Sequence, residues 1–319
     1  MSKLKPIKIA TLGVASDFQT SLLPAIIKSL GYEPIQSKTN HSDLVIVGPF
    51  LSEKKSFNWI PKPLRPILTN TKNDGGNAQS SRHGPPRLFI TGENVRHDSY
   101  KHDYAISFDL AVASSNHFRM PYWMEMVDWS KEGVVGNLNP RYGRLLNLDR
   151  LLQPLGRSYL SRPKKAAIFA SHLQEPRRTL LEVVKKQIEV VEYGRSFNPN
   201  VKNHLESGII KYDELQKVAF NLCPENGMHP GYYTEKIPEA FMAGCLPITW
   251  ADENIKVDFN PRAFINLAPM SYQCFNELEE ILNTQKILDS YAEQPLITNR
   301  LNIDPLKQFV RNIIGDALS

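Results

Sequence analysis

"CPENGMHPGYYTEKIPEAF", residues 223–241, crowds glycines, adjacent tyrosines, glutamates and a lysine between two apolar runs, residues 218–222 and 246–250. Runs of that length suit strands covered on both faces, which leaves the polar groups in the turn between them. Thr234 is placed to cap a helix whose first turn is Glu235, Lys236, Ile237 and Pro238. Free backbone N–H groups at a helix start attract phosphate, and Lys236 adds a full positive charge there. Gly231 would let the backbone approach a ligand closely, and Tyr232 offers a ring and a hydroxyl for a base or ribose. Glu235 would be repelled by a phosphate and suits hydrogen bonds from sugar hydroxyls. The same residues also describe an ordinary capped helix start, and spacing alone does not separate the two readings.

Other groups invite chemistry more weakly. Gly92-Glu93-Asn94 closes the apolar run "RLFIT" (residues 87–91), where a carboxylate can be plain turn chemistry. Arg177 and Arg178 follow Pro176 at the start of a helical pattern; cations there oppose the helix dipole unless an anion binds. "RHDSYKHDY" (residues 96–104) repeats His-Asp at His97-Asp98 and His102-Asp103. That spacing fits neither an i, i+4 helical pair nor a zinc loop, so no metal is expected and the segment is read as a polar loop. Cys223 and Cys245 lie in or beside apolar runs, as small core hydrophobes do.

The elements that must hold these groups follow from periodicity. Residues 7–14 form a first strand. Leu22, Leu23, Ile26, Ile27 and Leu30 recur at helical spacing, and Gly31 stops the helix. "DLVIVGPF" (residues 43–50) is a second buried strand, and residues 70–86 form an Asn/Gly/Ser/Pro-rich surface loop. Pattern weakens around residues 141–163, and a domain boundary is placed at residues 160–161. Beyond it come a strand in "KKAAIFA", a helix over residues 176–191, a strand at 218–222, a helix at 234–243 closed by Gly244, and a strand at 246–250. Repeated βα units in both halves predict two Rossmann-like, doubly wound α/β domains facing each other across a cleft. In such sheets ligands bind beyond the carboxyl ends of strands, where both Gly92-Glu93-Asn94 and residues 225–236 fall.

Bulk composition narrows the class. The 319 residues allow two domains, and 41% hydrophobic with 22% charged residues is the balance of a soluble globular chain, not a disordered one. A net charge of +5 suits an anionic ligand such as a nucleotide and falls short of a nucleic-acid coat, so no nucleic-acid partner is expected. Three cysteines, all in the second half, point to reduced thiols and a cytoplasmic location. Lys8 and Asp17 break the amino-terminal apolar run before a secretory signal could form, and no run has the length of a membrane span.

"FNLCPENGMHPGYYTEKIPEAFMAGCLPITW" resembles the signature of the α-1,3/4-fucosyltransferases of glycosyltransferase family 10, notably the bacterial members. "LFITGEN", "DYAISFD" and "RMPYW" are similar to the family's acceptor-domain pattern, and "FASHLQEPRRTLLE" to the start of its donor domain. The resemblance covers roughly residues 87–270. It implies the GT-B architecture, with residues 1–160 binding acceptor and 161–301 binding nucleotide sugar, and transfer of L-fucose from GDP-β-L-fucose to a glycan hydroxyl with inversion. By motif, Glu93 would be the general base and Arg178 and Lys236 the diphosphate binders. Glu235 would contact fucose or ribose hydroxyls, and Asn226 and Tyr232 would complete the donor pocket. Asn94, His97 and Arg119 are assigned to the acceptor side. Inverting displacement needs a base on one face and charge stabilisation for the departing diphosphate on the other. Arg, Lys and a helix start can supply that charge, so no metal is required, and stimulation by Mg²⁺ or Mn²⁺ is left open.

Residues 302–319 end the chain with Leu306, Phe309, Val310, Ile313, Ile314 and Leu318 on one helical face and Lys307, Arg311 and Asp316 on the other. Peripheral membrane contact is one use for such a face, although two cations are few for it. Packing back onto the first domain is the expectation adopted.

Overall fold

The computed structural model describes residues 3–51, 84–138, 142–200, 210–268 and 272–319; the polar stretch 70–86 lies almost wholly outside them. Among the described residues two sheets form, and every strand pairing in both is parallel. The first sheet has β1 (Lys5–Leu12), β2 (Tyr32–Gln36), β3 (Leu44–Val47), β4 (Arg87–Ile90), β5 (Tyr104–Ser107) and β6 (His117–Arg119), in the order β2-β1-β3-β4-β5-β6. The second has β7 (Lys165–Phe169), β8 (Glu189–Tyr193), β9 (Phe220–Leu222), β10 (Leu246–Thr249) and β11 (Ile265–Asn266), in the order β11-β10-β9-β7-β8. Parallel strands must be covered on both faces, and the wholly buried runs of β3 and β10 show it.

Each sheet carries its first strand between its second and third, so strand order reverses between β1 and β3 and again between β7 and β9. Crevices for ligands open at such switch points. In the first sheet the two strand ends meet through glycines: a Cβ on Gly48 would lie 2.4 Å from the Gly13 carbonyl oxygen, and Gly13 has φ +61°.

Helices among the described residues are α1 (Leu22–Ser29), α2 (Leu148–Leu151), α3 (Arg177–Lys185), α4 (Lys211–Leu215), α5 (Lys236–Met242), α6 (Tyr272–Asn283), α7 (Gln285–Ala292) and α8 (Asp304–Ala317). The helix expected over residues 176–191 is shorter than its pattern. Leu180, Leu181 and Val184 are buried on α3, but Val190 and Val191 leave it and pair with Ala166 and Ala167 as β8. Their β-branched side chains suit a pleated surface better than a helix, and β7 offers an open edge.

Helix α8 returns to the first sheet. It packs against α1, and Phe309 meets the rings of Phe118 on β6 and Tyr104 on β5. The Tyr104 hydroxyl donates to Asp316 at 3.1 Å. Leu306, Val310, Ile313 and Ile314 are buried, whereas Leu318, expected on the same face, is 48% exposed beyond the helix end. None of the helices is long and apolar enough to cross a membrane among the described residues. Removing residues 302–319 would uncover α1 and the β5–β6 face, so the truncated chain should aggregate or melt well below the full chain in calorimetry. A truncated protein with the full-length Tm that merely loses liposome binding would favour a membrane role for this helix.

Candidate functional site

The turn after β9 is built around a buried carboxylate. Glu225 is 6% exposed and accepts the Thr234 N–H at 2.7 Å, the Thr234 hydroxyl at 2.7 Å and the Lys236 ammonium at 2.8 Å. Thr234 therefore does not cap the helix as expected. Its Oγ1 is drawn to Glu225, and α5 begins at Lys236 with Glu235 in the capping position. Burial alone would lower the Lys236 pKa, but Glu225 and then Glu235 outweigh it and raise it, so the ammonium stays charged. Two of its three protons are engaged by Glu225 and Thr234, which leaves one to direct elsewhere.

An arginine joins this cluster from α3, at the carboxyl end of β7. It is Arg177, not the expected Arg178. Arg177 is 5% exposed, donates to the His172 carbonyl at 3.0 Å and hydrogen-bonds the Asn226 side chain, whereas Arg178 points to solvent. The spacing carried the signal: Arg177 shares a helical face with Leu180, Leu181 and Val184, at i+3, i+4 and i+7, and so must face inward.

Glu93 approaches from the other domain. Thr91 accepts the Glu93 N–H through its hydroxyl at 3.0 Å, and Gly92 lies flat on Tyr122, where a Cβ would come within 2.3 Å of the ring. This turn presents the Glu93 carboxylate 3.5 Å from the Asn226 amide. Other contacts span the same gap. A Cβ on Gly227 would lie 2.9 Å from the Asn94 amide, and Arg96 meets the His229 ring at 3.0 Å. Tyr232 is buried with its ring edge-on to Phe108, which, with the charges of Glu225, Glu93 and Glu235 nearby, holds its hydroxyl protonated. Gly231, at φ +87°, makes its close approach to the Phe108 carbonyl rather than to open space: a Cβ there would stand 2.5 Å from that oxygen.

Two residues assigned to the acceptor side have partners within the protein. The guanidinium of Arg119 is taken by Asp258 of the second domain in a two-pronged pair at 2.9 and 2.8 Å. It ties the domains together rather than lining open space. His97 turns away from Asp98 and bonds Asp109 through both its N–H and its Nδ1, at 3.0 and 2.5 Å. Burial pushes the Asp109 pKa up, but the His97 bonds and the Arg96 charge outweigh it and the net shift is downward. His97, Asp109 and His117 bring ligand atoms within 4.8 Å of one another, yet Ser107 bridges Asp109 and His117 and Arg96 occupies the other carboxylate oxygen. In this arrangement Asp109 Oδ2 is held by His97 and Ser107 and Oδ1 by Arg96. Burial and the neighbouring His97 pull the His117 pKa down to about 4.

Similarity to known proteins accords with these motifs. A model of the glycosyltransferase family 10 (fucosyltransferase) C-terminal region matches residues 159–293, and one of the α-(1,3)-fucosyltransferase FucT N-terminal domain matches residues 76–126. The chain thus resembles glycosyltransferase family 10 in both halves. The chain is 29% identical to the α-(1,3)-fucosyltransferase FucT of Helicobacter pylori over 97% of its own length and 63% of the relative's. It is 25% identical to human 4-galactosyl-N-acetylglucosaminide 3-α-L-fucosyltransferase 9 over 62% of this chain and 45% of that protein. It thus spans about half to two-thirds of these relatives. Among solved structures, an α1,3-fucosyltransferase superposes with a TM-score of 0.66 at 23% identity, covering 99% of this chain and 93% of that one. The same enzyme type with GDP-fucose gives 0.65 at 23% identity, covering 98% and 92%. The fold of the chain is theirs, GT-B.

One group of the chain lies outside every motif above. Glu125, 8% exposed, accepts the Leu22 N–H at the start of α1 at 2.6 Å. Burial lifts its pKa from 4.5 to about 8, against the Leu22 bond and with Asp17 adding to the rise. The folded state thus keeps a proton that the unfolded chain loses above 4.5. That contribution to stability is complete below pH 4.5 and is lost as pH climbs through about 8. Glu125→Gln keeps the Leu22 contact and removes the titration. In melts from pH 5 to 9 its Tm relative to wild type should rise up to about pH 8 and then level; a pH-independent difference would contradict the assignment.

Proposed function

We propose that the protein is an inverting fucosyltransferase that moves L-fucose from GDP-β-L-fucose to a hydroxyl of a glycan acceptor, forming an α-1,3 linkage. The observation that carries this is the meeting of Glu93, on the first domain, with Asn226 at the head of the Arg177–Glu225–Lys236 cluster on the second. One side offers a carboxylate without a cationic partner among the described residues; the other offers two buried cations for an anion. The names of the relatives, which include a GDP-fucose complex and an enzyme for galactosyl-N-acetylglucosaminides, support the donor and suggest a lactosamine-like acceptor.

In this reading Glu93 removes the proton from the acceptor hydroxyl as its oxygen attacks the anomeric carbon. The bond from that carbon to the diphosphate breaks, and GDP leaves on the opposite face. Arg177 takes the diphosphate role first given to Arg178, beside the third proton of Lys236. Glu235 accepts from fucose or ribose hydroxyls, and Asn226 fixes Glu93 against the donor. Tyr232, buried at the domain contact, supports the pocket wall. Asn94, on the rim by Gly227, faces the acceptor. Residues 1–160 and 161–301 divide acceptor from donor binding. Two buried free thiols, Cys223 and Cys245, suit a reducing cytoplasmic compartment.

Three measurements test this. Glu93→Gln, nearly isosteric, should cut turnover by about two to four powers of ten with GDP affinity unchanged; near-normal turnover removes Glu93 from the mechanism. Arg177→Ala should weaken GDP binding in calorimetry by about 1–3 kcal/mol, and Arg178→Ala by far less. The reverse order would return the diphosphate to Arg178. Release of GDP from GDP-mannose in preference to GDP-fucose would change the donor and keep the site.

A further inference from the structure

At the switch point of the first sheet, between the carboxyl ends of β1 and β3, lies a cavity of about 140 Å³, far more than the ~10–15 Å³ one ordered water needs. Glu93 stands on its wall, and Phe50 and Leu138, 57% and 63% exposed, line it as well. Inside, Glu125 gives Oε1 to the Leu22 N–H, while Oε2 accepts no hydrogen bond among the described residues. The Ser21 hydroxyl, also on the wall and buried, has no partner either. A carboxyl group that only capped α1 would need one oxygen, and its second oxygen and Ser21 line empty space instead.

Resting on the fucosyl-transfer reading, we infer that this cavity is the acceptor pocket, and that Glu125 with Ser21 reads the hydroxyls of the acceptor sugar. The lining decides the chemical class. Among the described residues the carboxyl groups of Asp17, Glu93 and Glu125 border it and no lysine or arginine does, which disfavours phosphate, nucleotide or sialic-acid-like anions. Phe50, Phe18 and Tyr122 supply rings for the C–H face of a pyranose, and Glu125 Oε2 and the Ser21 hydroxyl meet its hydroxyls. A neutral sugar seated there puts one hydroxyl beside Glu93, the group proposed to deprotonate it. Glu125 acts on binding and specificity and takes no part in the bond changes.

The test uses the full chain, GDP-fucose and N-acetyllactosamine. Ala15 is exposed on the cavity wall, so Ala15→Trp fills the space at little cost to folding. It should raise the acceptor KM at least tenfold, with the KM for GDP-fucose within twofold, and abolish saturation transfer to N-acetyllactosamine in ligand-observed NMR. Glu125→Leu, similar in size but without polar atoms, should also raise the acceptor KM at least tenfold; Glu125→Gln, which keeps polar atoms at both positions, should stay within threefold. An unchanged acceptor KM and persisting saturation transfer in Ala15→Trp, at wild-type Tm, would overturn the assignment. So would parallel rises in donor and acceptor KM. Failure of wild type to release GDP from GDP-fucose would instead defeat the transfer reading, and the NMR measurement would still decide whether the cavity binds a sugar.

Discussion

The turn between β9 and α5 hangs on the Glu225 carboxylate, whose bonds to Thr234 and Lys236 close a ring of charge-assisted contacts away from water. Such a group is costly to bury unpaired, so the loop has little freedom to rearrange once the lysine is in place. Its position then fixes Asn226 and, through Asn226, the side chain of Arg177 from another element. Cys223 lies directly beneath, fully buried, with its thiol against the Lys236 carbonyl at 3.3 Å. Burial raises its pKa well above that of a reactive cysteine, so it serves as packing under the charged cluster.

The same loop is also the joint between the domains. Gly231 and Tyr232 press on Phe108, His229 meets Arg96, and Asn226 reaches Glu93. On another part of the interface Arg119 and Asp258 form a two-pronged pair, 24% and 6% exposed. A shielded, bidentate pair holds orientation better than a surface ion pair, which is screened and mobile. The separation of the Glu93 carboxylate from the cationic cluster is thus set by contacts on both flanks.

Much of this was legible in the sequence. Short apolar runs marked β3, β4, β7, β9 and β10, because parallel strands buried on both faces need no alternation. The polar clusters at Glu93 and Glu225–Lys236 fell at strand ends, where the topology brings them together. Local reasoning failed where distant partners decide. Val190 and Val191 continue a helical stripe until β7 claims them. Thr234 looks like a cap until Glu225 takes its hydroxyl. Gly231 looks like a ligand approach until Phe108 occupies the space. Glu125 carried no signal at all, since its partner Leu22 lies 103 residues away. Arg177 was the exception: its register with Leu180 and Val184 was on the page, and the neighbouring Arg178 obscured it.

The return of α8 to the first sheet has a consequence for the order of events at the ribosome. The strands of that sheet emerge early, yet part of the apolar surface around α1, Tyr104 and Phe118 is covered by residues 304–317. Through synthesis of the whole second domain, that surface waits uncovered. All-parallel pairing, whose strands join only through long crossovers, delays closure further. The nascent first domain is therefore a natural client for a chaperone that shields hydrophobic patches, and the second domain must fold beside an unfinished neighbour.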